Sequence, residues 1–352
     1  MNIIGHTLQG LALLANLLAG AGFLFCSYSQ YLSPVAHPVL SCAGLFFPFF
    51  LFLNALFLLF WLFVQWKFSL VPFLFLLAGW GSIRSYAPWG HKEEAEGKET
   101  LKFLTYNVMG MPVEKGDSVN PIVEYIRKSD ADVVCLQEYP VHDEKIRKAL
   151  SFYPYVETFA VAGWNGMACL SRYPILSVER IGYKSVSNGS FLLRLKLDKD
   201  TMAVVCNHLE SNKLDAHDKQ VYEEILKSPG EKNVKSGGKY LLGKLAEAAA
   251  LRAPQADSVA QAIVGNKCRY MLVCGDFNDS PLSYAHRIIG RGLHDAYIEA
   301  GRGPGFSYNR NFLYFRIDHL MVGEGFRVLE ADVDNSISAS DHYPLWCVVE
   351  KL

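Results

Sequence analysis

From Met1 to Gly90 the chain contains no aspartate and no glutamate, and Lys67 and Arg84 are its only strong cations. Three long apolar runs fall inside that stretch: TLQGLALLANLLAGAGFLFCSY, SCAGLFFPFFLFLNALFLLFWLFV and FSLVPFLFLLAGWGSI. A helix needs ~20 apolar residues to cross the ~30 Å hydrocarbon core of a bilayer. The pattern therefore predicts a transmembrane segment over residues 1–85, with three helices near 7–28, 40–64 and 67–84. A cleaved signal peptide followed by a buried core does not fit. No basic stretch precedes the first run, and the second is too long and too apolar. Lys67, between the second and third runs, favours the cytoplasm. Three spans then put the rest of the chain on the non-cytoplasmic side of an integral, multi-pass membrane protein, although Arg84 pulls the other way.

The stretch HKEEAEGKET, within residues 86–100, reads as a solvated linker, and a different composition begins at residue 101. Setting aside the two cations above, 34 Lys and Arg become 32 against 35 Asp and Glu, so the region 91–352 is close to neutral. It lacks the basic face of a protein that grips a nucleic-acid backbone. Apolar, β-rich runs recur there: LKFLTYNV, DVVCLQEY, MACLSRY, FLLRLKL, TMAVVCNHL, YMLVCGDF, RIDHLMV and LWCVVE. Amphipathic stretches such as NPIVEYIRKSDAD lie between several of them, which predicts an α+β domain. Cys135, Cys169, Cys206, Cys274 and Cys347 each sit inside an apolar run and read as small buried hydrophobes rather than a disulfide framework.

The polar ends of those runs carry the chemistry. Asn107 closes LTYNV, Glu138 closes CLQE, His208 closes VCNHL, and Asp276 and Asn278 close CGDFN. Asp318 sits in RIDHL, and SDHYP offers Asp341 and His342. Ligands of open α/β sheets bind beyond the carboxyl ends of strands, so these groups can converge. The set is rich in oxygen, holds two imidazoles and lacks thiolates, which suits Mg²⁺, Mn²⁺ or Ca²⁺ better than tetrahedral zinc. Each residue also has an ordinary use, Asp and Asn as turn formers and caps. The number and order of the endings tip the balance.

That ordered set, TYNV, LQE, MACLSRYPI, NHLE, GDFND, RIDHLMV and SDHYPL, resembles the endonuclease/exonuclease/phosphatase superfamily across residues 101–352. The resemblance implies a four-layer α/β/β/α sandwich of two packed mixed sheets and metal-dependent hydrolysis of a phosphate ester. It implies that Glu138, with Asn107, holds the metal, and that Asp341 lies near the metal or the leaving group. Asp276 would orient or deprotonate water, Asn278 would position water and phosphate, Asp318 would pair with His342, and His208 would donate to the phosphate from the opposite side. Histidine at position 208 is similar to sphingomyelinases, inositol phosphate 5-phosphatases and pancreatic deoxyribonuclease rather than to apurinic endonucleases.

The substrate is less legible. The short tether favours a membrane lipid equally with other phosphate esters. Arg172, at the end of the strand MACLSRY, and Lys213 are candidate phosphate contacts. Residues 211–256 form an insert after His208, expected to be helical with a break at Pro254. It reads either as a lid, with Lys239 or Arg252 meeting a headgroup, or as helices packed outside the sandwich. GRGPGFSYN reads as a flexible rim segment. A membrane-tethered nuclease and a catalytically inactive binding module are the alternatives, the first disfavoured by the near-neutral charge and the second by the intact motif set. A transporter does not fit spans that lack ionisable residues.

Overall fold

The computed structural model describes residues 3–113, 119–162, 165–214, 216–227, 230–266, 268–310 and 314–352. Residues 215, 228 and 229 of the insert thus lie outside the described residues. The chain begins with five helices: α1 (Ile3–Tyr28), α2 (Pro38–Ser41), α3 (Phe47–Val64), α4 (Leu70–Ala78) and α5 (Trp80–Tyr86). Two stretches, His6–Tyr31 and Pro38–Val64, are long and apolar enough to cross a membrane. Trp66–Ala78 and Trp80–Tyr86 are apolar enough together but bend by 62° at Gly79. Large apolar side chains such as Leu11, Phe52, Leu59 and Phe63 point outward. Inside, Trp61 Nε1 donates to Asn16 Oδ1 at 3.0 Å and Asn54 Nδ2 to the Ala19 carbonyl at 3.1 Å, polar contacts of the kind that join membrane helices. Gly20 lets α4 approach α1, since a Cβ there would lie 2.2 Å from the Phe75 ring.

The remainder alternates strands and helices. In order it comprises β1 (Thr100–Asn107), α6 (Pro121–Ser129), β2 (Val133–Pro140), α7 (Glu144–Ala149), β3 (Tyr155–Ala162), β4 (Asn165–Ser171), β5 (Ile175–Arg180), β6 (Gly189–Leu197) and β7 (Asp200–His208). Then come α8 (Ala216–Lys227), α9 (Glu231–Gly265), β8 (Tyr270–Asp276), α10 (Tyr284–Ile289), β9 (His294–Asp295), α11 (Ala296–Ala300), β10 (Asp318–Val322), β11 (Phe326–Val333) and β12 (Leu345–Lys351). Two six-stranded sheets result, ordered β11-β12-β1-β2-β4-β3 and β5-β6-β7-β8-β10-β9. Both are mixed: β1 runs parallel to β2 and β7 parallel to β8, while the other pairs are antiparallel.

Strand alternation builds the layers. Phe103, Cys135, Val204, Cys206, Leu272, Cys274 and Leu320 face inward between the sheets. Their neighbours Leu104, Tyr106, Val134 and Leu136 face outward and pack under Ile122 and Ile126 of α6. On the second sheet Ala203, Val205, Met271 and Val273 pack under Ala256, Val259 and Ile263 of α9. The result is the expected four-layer sandwich. All eight cysteines are free thiols.

Two expectations are corrected. α9 runs unbroken through Pro254, although an interior proline costs ~3 kcal/mol, because its neighbours are tied down. Arg252 donates to the Glu210 carbonyl at 2.8 Å and to Asn212 Oδ1 at 3.0 Å, and Gln255 Oε1 accepts from the Glu210 N–H at 2.9 Å. GRGPGFSYN is packed rather than flexible, with Ser307 fully buried and its Oγ accepting from the N–H groups of Ile317 and Asp318. The stretch after Gly90 is solvated as expected, with residues 91–100 all exposed, and its backbone is held at two points: Glu93 N–H donates to the Leu329 carbonyl at 2.8 Å, and Glu350 Oε1 accepts from Glu96 N–H at 2.6 Å.

The helical segment sits directly on the sandwich. Leu282 packs with Phe23, Phe47 and Ile83, and Cys42 with Ala246 and Ala249 of α9. Arg287 Nε donates to the Gln30 carbonyl at 2.9 Å, and Arg316 donates to the Ser85 carbonyl.

Candidate active site

Period-two alternation explains where the polar strand ends meet. In β1 the inward parity that carries Leu101 and Phe103 reaches Asn107; in β7 it carries Val204, Cys206 and then His208; in β8 it carries Leu272, Cys274 and then Asp276. Asp318 opens β10 with the same parity as Leu320 and lies opposite Asp276 in register. His208 is also opposite Asp276, across the parallel β7–β8 pair. Four polar side chains thus emerge at one end of the inter-sheet space.

Glu138 breaks this parity and arrives by another route. The register of β2 on β4 shifts between Gln137 and Tyr139, and Glu138 has φ +52°. A bulge residue in the left-handed region is re-aimed out of the pleat, a device found beside functional sites. Asn278 likewise has φ +53°, which Asn tolerates, and its N–H donates to Asp276 Oδ1 at 2.8 Å. Gly275 has φ +131° and a Cβ there would lie 2.0 Å from the Asn207 carbonyl oxygen, so only glycine lets β8 lie this close to β7 before Asp276.

Distances show the convergence. Asn107 Nδ2 donates to Glu138 Oε1 at 3.1 Å and, across the sandwich, to Asp276 Oδ2 at 3.0 Å. His208 Nε2 lies 3.9 Å from both of those carboxylate oxygens, and His342 Nε2 lies 3.7 Å from Asp276 Oδ2. His342 Nδ1 is 2.7 Å from Asp318 Oδ2. Asp276 and Asp318 are each 1% exposed, whereas the Glu138 side chain is 35% exposed and opens the site to solvent.

The charges are set by burial and by one another. Burial works against a charged His342, but the carboxylates of Asp318 and Asp276 outweigh it and raise its pKa to about 10. Burial pushes the Asp276 carboxyl up, Asp318 adds to this, and His342, His208 and the Asn107 amide oppose it. The site therefore pairs a held imidazolium with a carboxylate of raised basicity, a combination suited to moving protons and meeting anionic oxygens.

The residues fit a hard divalent cation. Oxygens of Glu138 and Asp276 both crowd one Asn107 nitrogen, an arrangement of like charges that a cation would join. The same amide turned by 180° would present Oδ1 to such an ion. The donors are oxygens and imidazoles, as Mg²⁺ and Mn²⁺ sites use. Asp276, Asp318 and His342 also have ligand atoms within 4.8 Å of one another.

Of the residues singled out in the sequence, Asn107, Glu138, His208, Asp276, Asp318 and His342 meet here, and Asn278 braces the floor by donating to the Leu209 carbonyl at 3.1 Å. Asp341 lies at the rim, 3.3 Å from Arg310 Nη1. Arg172 is corrected: β4 is antiparallel to β2, so Ser171 pairs with Val133 and Arg172 sits at the far end of the sheet, bound to Asp130 and Asp132. Lys213 is on the loop after His208 but its Nζ is 2.6 Å from Glu210 Oε1. Arg252 is 3% exposed and braces Asp279 at 3.3 Å instead of facing a headgroup.

Three contributors lay outside the sequence reading. Ser340 Oγ donates to the Asn107 carbonyl at 2.8 Å and accepts from the His342 N–H at 3.3 Å. The Tyr308 ring meets His342 edge-on, centroids 5.2 Å apart. Ser307 holds the Asp318 N–H at 3.1 Å. Ser340 stands inside SDHYP, a stretch singled out for its neighbours Asp341 and His342.

Comparison with known proteins bears on the family and the fold. The Endonuclease/Exonuclease/phosphatase family model matches residues 104–342, and a domain of unknown function (DUF8431) matches residues 9–86. No curated protein matches the chain. A humanised D. rerio TDP2 carrying 14 mutations superposes with TM-score 0.53 at 15% identity, covering 72% of this chain and 99% of that one. D. rerio TDP2 complexed with a single-strand DNA product gives 0.52 at 16% identity, covering 72% and 100%. The human nocturnin catalytic domain with bound sulfate gives 0.52 at 15% identity, covering 73% and 97%. At such identities the likeness is one of fold.

Proposed function

The chain belongs to the endonuclease/exonuclease/phosphatase family, and we propose that it is a membrane-anchored, divalent-metal-dependent phosphoesterase acting on a phosphate ester carried by a membrane lipid. The observation that carries the hydrolytic reading is the meeting of Asn107, Glu138 and His208 with Asp276 and the Asp318–His342 pair at one end of the sandwich. Glu138, Asn107 and Asp276 would hold the metal, with Asp341 beside it. When bound, the ion neutralises charge on a phosphate oxygen and on the leaving group. Asp276 orients the attacking water. Asp318 keeps His342 in one orientation and cationic, so that its Nε2–H meets a phosphoryl oxygen, while His208 donates from the opposite wall. Asn278 fixes Asp276 through its backbone N–H. Phosphoryl transfer asks mainly for such positioning and charge compensation.

The lipid reading rests on how the helices meet the domain. Leu282, four residues after Asn278, packs on Phe47 at the start of α3, so a bilayer around α1 and α3 would come within a few residues of the site. With α4 and α5 as a bent third span, Lys67 would lie at the end away from the sandwich, placing the domain on the non-cytoplasmic side. A tethered nuclease keeps the same site, and its structural neighbour TDP2 is seen with a DNA product; the near-neutral domain weighs against that reading here. Full-length protein in mixed micelles, supplied with Mn²⁺ and offered a glycerophospholipid, a sphingophospholipid, an inositol phosphate and a DNA oligonucleotide, decides between them. Turnover of a lipid in preference to DNA is expected, and turnover of DNA alone would overturn the lipid reading.

A further inference from the structure

The join between the helical segment and the sandwich is not closed. Between Leu45 and Pro48 on one side and Pro281, Phe306 and Phe315 on the other lies a cavity of about 100 Å³. A single water needs ~10–15 Å³, so the cavity has room for several heavy atoms. Its walls are mostly apolar, with Tyr86, Ser280 and Tyr314 adding hydroxyls and Arg316, which is 3% exposed, the charged member.

Arg316 is incompletely satisfied. Its Nη1 donates to the Pro304 carbonyl at 2.9 Å, its Nη2 donates to the Ser85 carbonyl, and the guanidinium lies 4.8 Å from the Tyr297 ring centre. Its Nε–H is buried without a partner. Among the described residues no carboxylate oxygen lies within ion-pair distance of it. Asp295 acts on it from farther away, but Oδ2 of that carboxylate is 2.7 Å from His286 Nε2 and Oδ1 accepts from the Ile298 N–H at 2.9 Å. Burying a guanidinium without a counter-charge is costly, and leaving a buried donor idle adds to the cost. An anion entering the cavity would supply the missing counter-charge.

The surroundings say where that anion comes from. Gly44, Leu45, Pro48 and Tyr86 belong to the helical segment, so a third of the lining comes from the part that would lie in the bilayer. Exposed aromatic side chains, Tyr28, Tyr31, Trp80 and Trp89, stand at the same end of the helices, as they do at membrane interfaces. Arg287, stacked 4.7 Å from Tyr31, and the exposed Arg84 add cations at this end. We infer that the cavity binds an anionic phospholipid of the surrounding bilayer, its phosphate accepting from the Arg316 guanidinium and its apolar part lying against Leu45, Pro48 and Phe315. This rests on the membrane placement proposed above and is independent of hydrolysis.

The test uses full-length protein, delipidated in mild detergent and returned to nanodiscs of phosphatidylcholine with and without phosphatidylglycerol, with retained lipid read by native mass spectrometry. Wild type should retain phosphatidylglycerol over phosphatidylcholine by on the order of tenfold. Arg316→Met should abolish the preference, and Arg316→Lys should keep part of it. Leu45→Trp, which fills the cavity from the membrane side and leaves Arg316 in place, should lower retention of phosphatidylglycerol, and decides the matter if Arg316→Met does not fold. Equal retention of the two lipids by wild type, or an undiminished preference in Leu45→Trp, overturns the inference. So does displacement of phosphatidylglycerol by inorganic phosphate at equal concentration, which would make the ligand a free anion. Recovery of the chain from cells without detergent would instead contradict the membrane placement.

Discussion

Replacing Asp318 by Asn removes a charge and almost no volume. In the native site the Asp318 and Asp276 carboxylates overcome the effect of burial and hold His342 at a pKa of about 10, against an ordinary 6.5. The gap of about 3.5 pH units corresponds to on the order of 5 kcal/mol favouring the imidazolium. Because this pKa is raised, the stabilisation is complete below pH 6.5 and is lost only as pH climbs through about 10. Without the Asp318 charge, burial opposes Asp276 nearly unaided, and His342 should become neutral within the physiological range. Asp318→Asn should therefore lower kcat/KM by roughly 10²–10⁴ and give an activity that falls with rising pH where wild type stays level. The assay is hydrolysis of bis(4-nitrophenyl) phosphate by full-length protein at saturating Mn²⁺ across neutral and mildly alkaline pH, with a thermal melt to show that the variant is folded. A folded variant within about threefold of wild type, with the same pH profile, would refute the reasoning.

Other perturbations probe different links. Glu138→Gln keeps the bulge but removes a metal-facing charge; activity should drop by ~10²–10³ and recover in part at higher Mn²⁺, and a loss that no metal concentration relieves would count against the assignment. Gly275→Ala drives a Cβ to within 2.0 Å of the Asn207 carbonyl oxygen at φ +131°, so the melting temperature should fall by many degrees or no folded protein be recovered; an unchanged melt contradicts this. Arg172→Ala, at the far end of the sheet, should leave kcat/KM within about twofold and cost on the order of 1 kcal/mol, since its pair with Asp130 is largely exposed and only Asp132 is sheltered. A tenfold loss of rate there would place Arg172 back at the site.

The site was legible wherever a strand simply ended on a polar residue of inward parity. Asn107, His208, Asp276 and Asp318 follow from the apolar alternation that precedes or follows each of them. Glu138 was visible as a strand end, but the bulge that aims it was not, because a register shift depends on the partner strand β4. Arg172 failed for a related reason: MACLSRY reads as a strand, yet nothing local says that it runs antiparallel, which puts its end away from the site. Pro254 was over-read, since local propensity does not see Arg252 and Gln255 anchoring the helix on either side. β3, β5, β9 and β11 were not anticipated: they are the four edge strands, and in β5 (ILSVER) charge dilutes the apolar alternation. The contact between the helical segment and α9 was illegible for the same reason as every long-range pairing.

The central claim is that these converging carboxylates and imidazoles form a metal-dependent hydrolytic centre. The most direct measurement is phosphate-ester hydrolysis by full-length wild type before and after removal of divalent ions, with Asp276→Asn alongside. The account predicts turnover that chelation abolishes and Mg²⁺ or Mn²⁺ restores, and none in Asp276→Asn under either condition. Turnover that persists in chelator, or in folded Asp276→Asn with metal, would contradict it.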